Sequence, residues 1–411
     1  MGPGSRPLFG RGVTVFGLPG WLLIIPLLTA LVFIHELGHF ITAKRFGIKV
    51  TEFGFGFPPR IAGFQYGETL YSINWLPLGG FVRMVGEEDP TDPRSFARQA
   101  AWKRAVVLVA GSFMNLVLPL VIFTTMFMLP HDVLAGRVVI TGVAHGSPAQ
   151  EAGLRPGDEI YEVDGRRIEN TAELVQRVMA KLGRAIDLTI GRSAVVPGIS
   201  RTPDLVGTET VSVVPRLNPP KLEVVDEVSD PLTQISLTET LRLNPDAKLG
   251  DEFRQGAVGV YIATANAHVV QRSYPIWEAA PMSVGKMRDI LVITRNGLAR
   301  WAAGGDDPGL AGPIGIAQVT GEIASVGISP VFELMALLSI SLGILNILPI
   351  PALDGGRLLF VGIEWARRGK RISAKREGLV HLLGFVVLIG LVAVMSYFDI
   401  VRIIDGGSLL R

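Results

Sequence analysis

The stretch VFIHELGHFI, residues 32–41, places two histidines and a glutamate at the end of an otherwise apolar segment. On a helix, positions i and i+4 share a face. His35 and His39 can therefore address one ion while Glu36 stands beside it, the arrangement in which two imidazoles bind zinc and a carboxylate serves as general base. Ionisable groups at membrane depth are costly and mark functional sites. The chain has no cysteine, which removes disulfides, thiolate ligands and thiol nucleophiles, so any metal here rests on nitrogen and oxygen donors. A catalytic zinc takes three protein ligands and keeps a fourth position for water. The remaining candidates are His131, His145, His268, His381 and Asp354. Pro349 and Pro351 break the third apolar segment just before Asp354, and irregular backbone at membrane depth is tolerated where it borders a cavity. Asp354 is therefore the expected third ligand, in a site for one Zn2+ per chain.

The elements that must position these residues follow from composition. With 411 residues, 48% of them hydrophobic, the chain is too apolar for an ordinary soluble enzyme. A net charge of +2 gives no whole-chain basis for nucleic-acid binding. Four segments, near 17–43, 105–130, 329–350 and 377–398, are long and apolar enough to cross a bilayer. The first leads directly into the histidines without a small-residue cleavage site, so it reads as a retained anchor. Lysines and arginines crowd residues 44–104 and 357–376, which predicts that both loops face the cytoplasm, with both chain ends and residues 131–328 outside. Within the first loop, alternating aromatic and small residues from Thr51 to Met84, punctuated by Gly and Pro, predict short strands with an open edge that suits pairing to an extended peptide.

Outside, VVITGVAHGSPAQEAGLRPGDEIYEVDGRRI and the segments after it read as strand, turn, strand, helix, strand. This region resembles the PDZ family over residues 133–217. The resemblance implies a groove lined by Val138, Val139 and Ile140 together with the helix near 171–182, open to extended peptides or C-termini. Residues 218–275 carry no motif, and 276–302 read as an amphipathic helix with Trp277 and Trp301 near its ends, suited to a membrane surface or to packing on a neighbouring domain.

HELGH, LPLGGFVRM, the PDZ-like segment, LAGPIGIAQ and NILPIPALDGGRLLF, in this order across nearly the whole chain, resemble the site-2 protease family of intramembrane zinc metalloproteases, most of all its bacterial regulator-of-sigma-E protease group. The resemblance implies that His35, His39 and Asp354 bind zinc, that Glu36 is catalytic, and that Asn346 helps to hold substrate. It also implies that the glycine-aromatic segment around 52–75, with Phe53, Gly54, Phe55 and Gly56, presents a sheet edge to an unwound substrate, and that Asn115 of GSFMN lines the site. The single PDZ-like segment departs from members with two in tandem.

The fold so implied is a polytopic α-helical membrane protein with four transmembrane helices, a membrane-associated β-hairpin sheet and an extracytoplasmic α+β PDZ domain. Its parts are a first half of the protease core (1–130), the PDZ domain (131–217), a linker with the amphipathic helix (218–328) and a second half of the core (329–411). The implied setting is the bacterial cytoplasmic membrane, with lipid and single-span membrane proteins, such as trimmed anti-sigma factors or remnant signal peptides, as partners. Two other classes remain open on residues alone: a membrane-anchored PDZ adaptor with a non-catalytic zinc site, and a zinc transporter. The glutamate beside the histidines is superfluous in the first, and the second lacks a chain of polar residues across the other spans.

Overall fold

In a computed structural model of the chain, residues 14–15, 18–86, 91–193, 205–243, 247–305 and 311–405 are described. The opening MGPGSRPLFG, residues 194–204 of the PDZ-like segment and Leu310 of LAGPIGIAQ lie outside the described residues. The chain divides into two compact units, residues 1–126 with 309–411, and residues 127–308.

In the first unit, a two-residue pair, β1 (Thr14–Val15) and β2 (Leu18–Pro19), precedes α1 (Ile24–Arg45). Lys44 and Arg45 occupy the last turn of α1, and Gly47 at φ +73° ends it in the left-handed conformation that glycine adopts without cost. Two long ribbons follow, β3 (Val50–Tyr66) and β4 (Thr69–Met84). Their register folds each ribbon in two: Phe53 is paired with both Tyr71 and Val82, Gly54 with Ser72 and Phe81, and Phe55 with Ile73 and Gly80, while residues 62–66 pair back onto 69–73. The stretch containing Phe53, Gly54 and Phe55 is thus interior to the sheet, and the outer strands are 60–66 and 80–84. Phe64, Tyr66 and Trp75 on this sheet are 65%, 75% and 66% exposed, far more than a water-facing surface normally leaves. The long helix α2 (Ala101–Met128) closes this half.

The second unit holds β5 (His131–Val143), the short α3 (Pro148–Glu151), β6 (Glu159–Val163), β7 (Arg166–Arg167), α4 (Thr171–Ala180), β8 (Ile186–Ser193) and β9 (Leu205–Val213). A three-stranded sheet comes next, β10 (Lys221–Val225), β11 (Gln234–Ser236) and β12 (Glu252–Arg254), carrying α5 (Leu237–Leu243). The chain then returns to the first sheet as β13 (Val260–Arg272) and leaves as α6 (Ile276–Ala302). The main sheet has the order β13-β5-β6-β8-β9, with β7 beside β6. Its core is Val138, Ile140, Leu174, Ile186, Leu188 and Ile190 with their neighbours. Residues 131–217 alone therefore omit one strand of this sheet, because sequence periodicity gives no signal that a strand 40 residues later will pair back onto β5.

Back in the first unit are α7 (Pro313–Val326), α8 (Ile328–Ile347), α9 (Asp354–Ala366) and α10 (Ala374–Ile404). Among the described residues, four helical stretches, Gly20–Arg45, Ala101–Met128, Ile328–Ile347 and Ala374–Ile404, are long and apolar enough to span a membrane. They coincide with the segments expected from hydropathy. With the β-sheets, they describe a polytopic membrane protein. The packing is close where residues are small: a Cβ on Gly38 would collide with Ala110 O and come 2.9 Å from Met114 Cγ, so α1 and α2 cross nearly backbone to backbone, as small residues allow between membrane helices.

Candidate metal centre

Helix α1 carries His35 and His39 one turn apart, both buried, with their Nε2 atoms 3.1 Å apart. Asp354, the first residue of α9, brings Oδ2 to 2.9 Å from His35 Nε2 and 3.1 Å from His39 Nε2. Three donor atoms thus share one small vertex. Tetrahedral ligands about 2.0–2.1 Å from a zinc ion stand about 3.3 Å apart, close to these separations.

The proton inventory strengthens the fit. His39 Nδ1 lies 2.7 Å from Val107 O; a carbonyl only accepts, so Nδ1 carries the hydrogen and the neutral ring presents a lone pair at Nε2. His35 Nδ1 lies 3.4 Å from the side-chain amide of Asn115, a wholly buried residue whose Oδ1 has no hydrogen-bond partner. Turning that amide lets Oδ1 accept from His35 Nδ1–H, satisfying the orphan and freeing His35 Nε2 as a second lone pair. Two lone pairs and a carboxylate oxygen repel one another unless a proton or a metal cation sits among them, and a vertex of three such donors suits the metal. Space is left for one by Gly111 on α2, where a Cβ would stand 2.5 Å from His39 Nε2 and 2.7 Å from His35 Nε2.

Glu36 stands beside the two imidazoles, with a carboxylate oxygen within 4.8 Å of their ring nitrogens, and its Oε2 accepts a hydrogen bond from Val82 N–H at 3.1 Å. This ties the carboxylate to strand 80–84, on an outer edge of the sheet. The segment leading into that strand is fastened by Thr29 of α1, whose hydroxyl donates to Pro77 O and accepts from Gly79 N–H.

The other expected site residues divide. Asn115 stands against His35. Asn346 lies half-buried in the last turn of α8, ahead of the broken loop. Phe53, Gly54 and Phe55 are paired on both sides, so the sheet edge expected there is corrected: the edge beside Glu36 belongs to residues 80–84. Gly56 neighbours them at a point where a Cβ would collide with Leu76 O, and Asn74 Nδ2 donates to its carbonyl. Val138, Val139 and Ile140 also need correction, since β13 pairs with them on one side and β6 meets Val138 and Val139 on the other. The groove of that unit instead runs between β13 and α4, an apolar cavity of about 160 Å³ lined by Leu174, Val178, Val258, Val260 and Ile262. Of the other histidines, His131, His145 and His268 belong to the second unit, and His381 contacts the loop that precedes Asp354. Sequence reasoning missed Gly111, Val107 and Val82. The first acts by lacking a side chain and the other two through main-chain atoms, so residue type announces none of them.

Two imidazoles from a membrane-length helix, a carboxylate from a second helix and a glutamate held at the side define the metallopeptidase class, placed within a polytopic membrane protein. Comparison with known proteins agrees. Residues 23–391 match the model of peptidase family M50, and the chain belongs to that family. It is 30% identical to a provisionally named zinc metalloprotease of Brucella suis over 92% of this chain and 94% of that protein. It is 32% identical to another of Clostridium perfringens, over 91% and 96%. It is 29% identical to the zinc metalloprotease RasP of Geobacillus kaustophilus, over 90% and 95%. The protein is an intramembrane zinc metalloprotease of the site-2 type.

Proposed function

We propose that this enzyme cuts within or near the transmembrane segment of single-span membrane proteins, with His35, His39 and Asp354 holding one Zn2+ and Glu36 acting as general base. The observation that carries the reading is the convergence of His35 Nε2, His39 Nε2 and Asp354 Oδ2 within 3.1 Å beside a carboxylate held by Val82. Zinc bound there supplies a Lewis acid that acidifies water and polarises a peptide carbonyl. Glu36 takes a proton from the attacking water and passes it to the amide nitrogen, so the C–N bond breaks as oxygen joins carbon and the amine leaves neutral.

A helical substrate keeps its amides bonded to one another and must unwind before a carbonyl reaches the site. Its freed polar groups then need partners. The outer edge of strand 80–84 is the proposed partner, with Asn346 as a further polar contact. Substrates carrying Gly, Asn or Pro near the cut are therefore expected to be cleaved faster than strong helix formers. In the second unit, the groove between β13 and α4 is the proposed site for peptide C-termini. The arginines and lysines of residues 44–104 and 357–376 support a topology with both loops in the cytoplasm, the second unit and both chain ends outside, in the cytoplasmic membrane of a bacterium.

The test is Glu36→Gln, followed with a reporter substrate in liposomes and metal analysis. About one zinc per chain with cleavage abolished is the expected result. Undiminished cleavage would remove Glu36 from the mechanism. A wild-type chain that holds zinc and cuts no membrane substrate would favour the adaptor reading instead.

A further inference from the structure

The loop from Leu348 to Leu353 fixes where Asp354 stands, yet its own backbone is poor in hydrogen-bonding means. Pro349 and Pro351 have no N–H, and inside the loop the bonds are Ile350 N–H to Leu348 O at 2.7 Å and Leu353 N–H to Ile350 O at 3.2 Å. Ala352, between them, sits at φ +79°, a left-handed conformation that residues with a Cβ avoid and that persists only where surroundings enforce it. What enforces it comes from α10. The Ala352 N–H donates to His381 Nδ1 at 2.9 Å. One turn on, Gly384 lies so close to Pro351 that a Cβ there would overlap that ring. His381 and Gly384 are i and i+3 on one face of α10, and together they grip the two residues before the Leu353–Asp354 step. Phe360 of α9 packs beside the imidazole, with ring centroids 5.5 Å apart. The most apolar stretch of α10 has no buried residue, and the other firm hold on this helix is at its far end, where buried Asp399 accepts from Gly315 N–H of α7, so the grip on the loop is a local device.

From this geometry we infer that His381 is a positioning residue for the metal centre: its Nδ1 holds Ala352 in the left-handed turn that delivers the Asp354 carboxylate to His35 and His39. The inference rests on the reading of Asp354 as a ligand. His381 acts as a hydrogen-bond acceptor, with its proton on Nε2, and any side chain offering an acceptor at the Nδ1 position should substitute. Asparagine does so, because its Oδ1 occupies nearly the same place relative to the backbone. Leucine fills the space without an acceptor.

The experiment compares wild type, His381→Leu, His381→Asn and Asp354→Asn as full-length protein in detergent. It reads zinc affinity by chelator competition, hydrogen exchange of the 349–354 segment without metal, and kcat and KM on one reporter substrate. His381→Leu should speed exchange at Ala352 at least about tenfold, weaken zinc binding about 10- to 100-fold, as loss of an outer-shell partner does, and lower kcat with KM little changed. His381→Asn should restore all three. Asp354→Asn should lose zinc while keeping Ala352 protected, so a failure of the ligand assignment (zinc retained) is distinguishable from a failure of the latch. Gly384→Ala, which leaves the imidazole intact and displaces Pro351, gives a second approach if His381→Leu does not accumulate, with the same zinc deficit expected. Unchanged exchange and zinc affinity in His381→Leu, or in Gly384→Ala where that variant stands in, would overturn the proposal. So would an equal loss in His381→Asn, which would mark the histidine as mere packing.

Discussion

The two halves of the site are built in opposite ways. Around the metal position, α1 and α2 approach so closely that glycines at 38 and 111 have no room for a methyl group, Gly355 of α9 is as tightly set against Ile347 and Leu348 at the end of α8, and each histidine has a partner for its second ring nitrogen. On the proposed substrate side, the sheet bears exposed aromatics and is fastened to α1 through Thr29 and Glu36. The difference separates two tasks. A metal needs donors fixed to fractions of an ångström, whereas a strand edge that takes up an unwound peptide has to tolerate many sequences. Changes in the metal half should therefore cost zinc, and changes in the substrate half should cost turnover with zinc retained.

The largest effect is expected from Asp354→Ala, which removes the proposed charged ligand and leaves two imidazoles. Zinc should fall well below one per chain at micromolar metal, and proteolysis should fall by a factor of about 10³ or more. Stoichiometric zinc in this variant would break the comparison at its base, because the third donor would then lie elsewhere.

Gly111→Ala tests the tightness of the metal half without touching a ligand. The added methyl would stand 2.5 Å from His39 Nε2, and neither ring can retreat without breaking its bond to Val107 or Asn115. Overpacking of this kind costs about 1–3 kcal/mol, which corresponds to zinc affinity weakened about 10- to 100-fold if the strain falls on the ligands. An unaffected zinc affinity would mean that the imidazoles have more freedom than their contacts imply.

Val82→Pro tests the other half. It deletes the N–H that holds Glu36 and leaves all three donors in place. Zinc should remain bound while kcat drops about 10²-fold, within the range attributed to a positioned general base. The control is Ile61→Pro on the far outer strand, 55% exposed, where the loss should be no more than about threefold. Equal losses at both positions would show that prolines disable the sheet as a whole rather than the carboxylate.

How much of this could be read from the chain follows the same division. His35, Glu36 and His39 announce themselves because a fixed helical repeat converts spacing into geometry, and Asp354 follows from prolines that must end a helix at membrane depth. The helices long and apolar enough to span are legible because hydropathy over about 20 residues needs no tertiary information. The sheet was legible only as strands. Phe53 looks like an edge residue until the ribbon doubles back and pairs it twice, and Val138 looks like a groove strand until β13 arrives from beyond residue 217. Pairing is non-local, and nothing in a strand's own residues tells how many neighbours it will have. Main-chain partners such as Val107 and Val82, and cradles such as Gly111, are silent for a related reason: their contribution lies in where the backbone is.

The smallest effect on zinc is expected away from the donors, where Arg104 of α2 donates to Glu364 of α9 at 2.6 Å and Arg371 adds a second bond at 3.2 Å. Burial pushes the Glu364 carboxyl up from its ordinary value of 4.5, but the hydrogen bonds and charges of Arg104 and Arg371 outweigh that and hold it lower. A carboxylate depressed in the folded state stabilises at every pH above its unfolded value, and the stabilisation fades as pH falls through its folded value. Glu364→Gln leaves the Arg104 guanidinium, only 8% exposed, without its charge partner, at a cost of about 3 kcal/mol at neutral pH. The melting temperature of the metal-free protein should fall accordingly at pH 7, and the gap between variant and wild type should narrow as pH drops below 4.5. Zinc affinity at pH 7 should change by less than about threefold, because the pair secures where α9 lies on α2 while the Asp354 loop is set separately at the N-terminus of α9. A melting gap that stays constant into acid would assign the loss to packing rather than to charge. A large zinc deficit would mean that α9 transmits displacement along its whole length, and the metal half would then be one rigid block rather than a set of locally held donors.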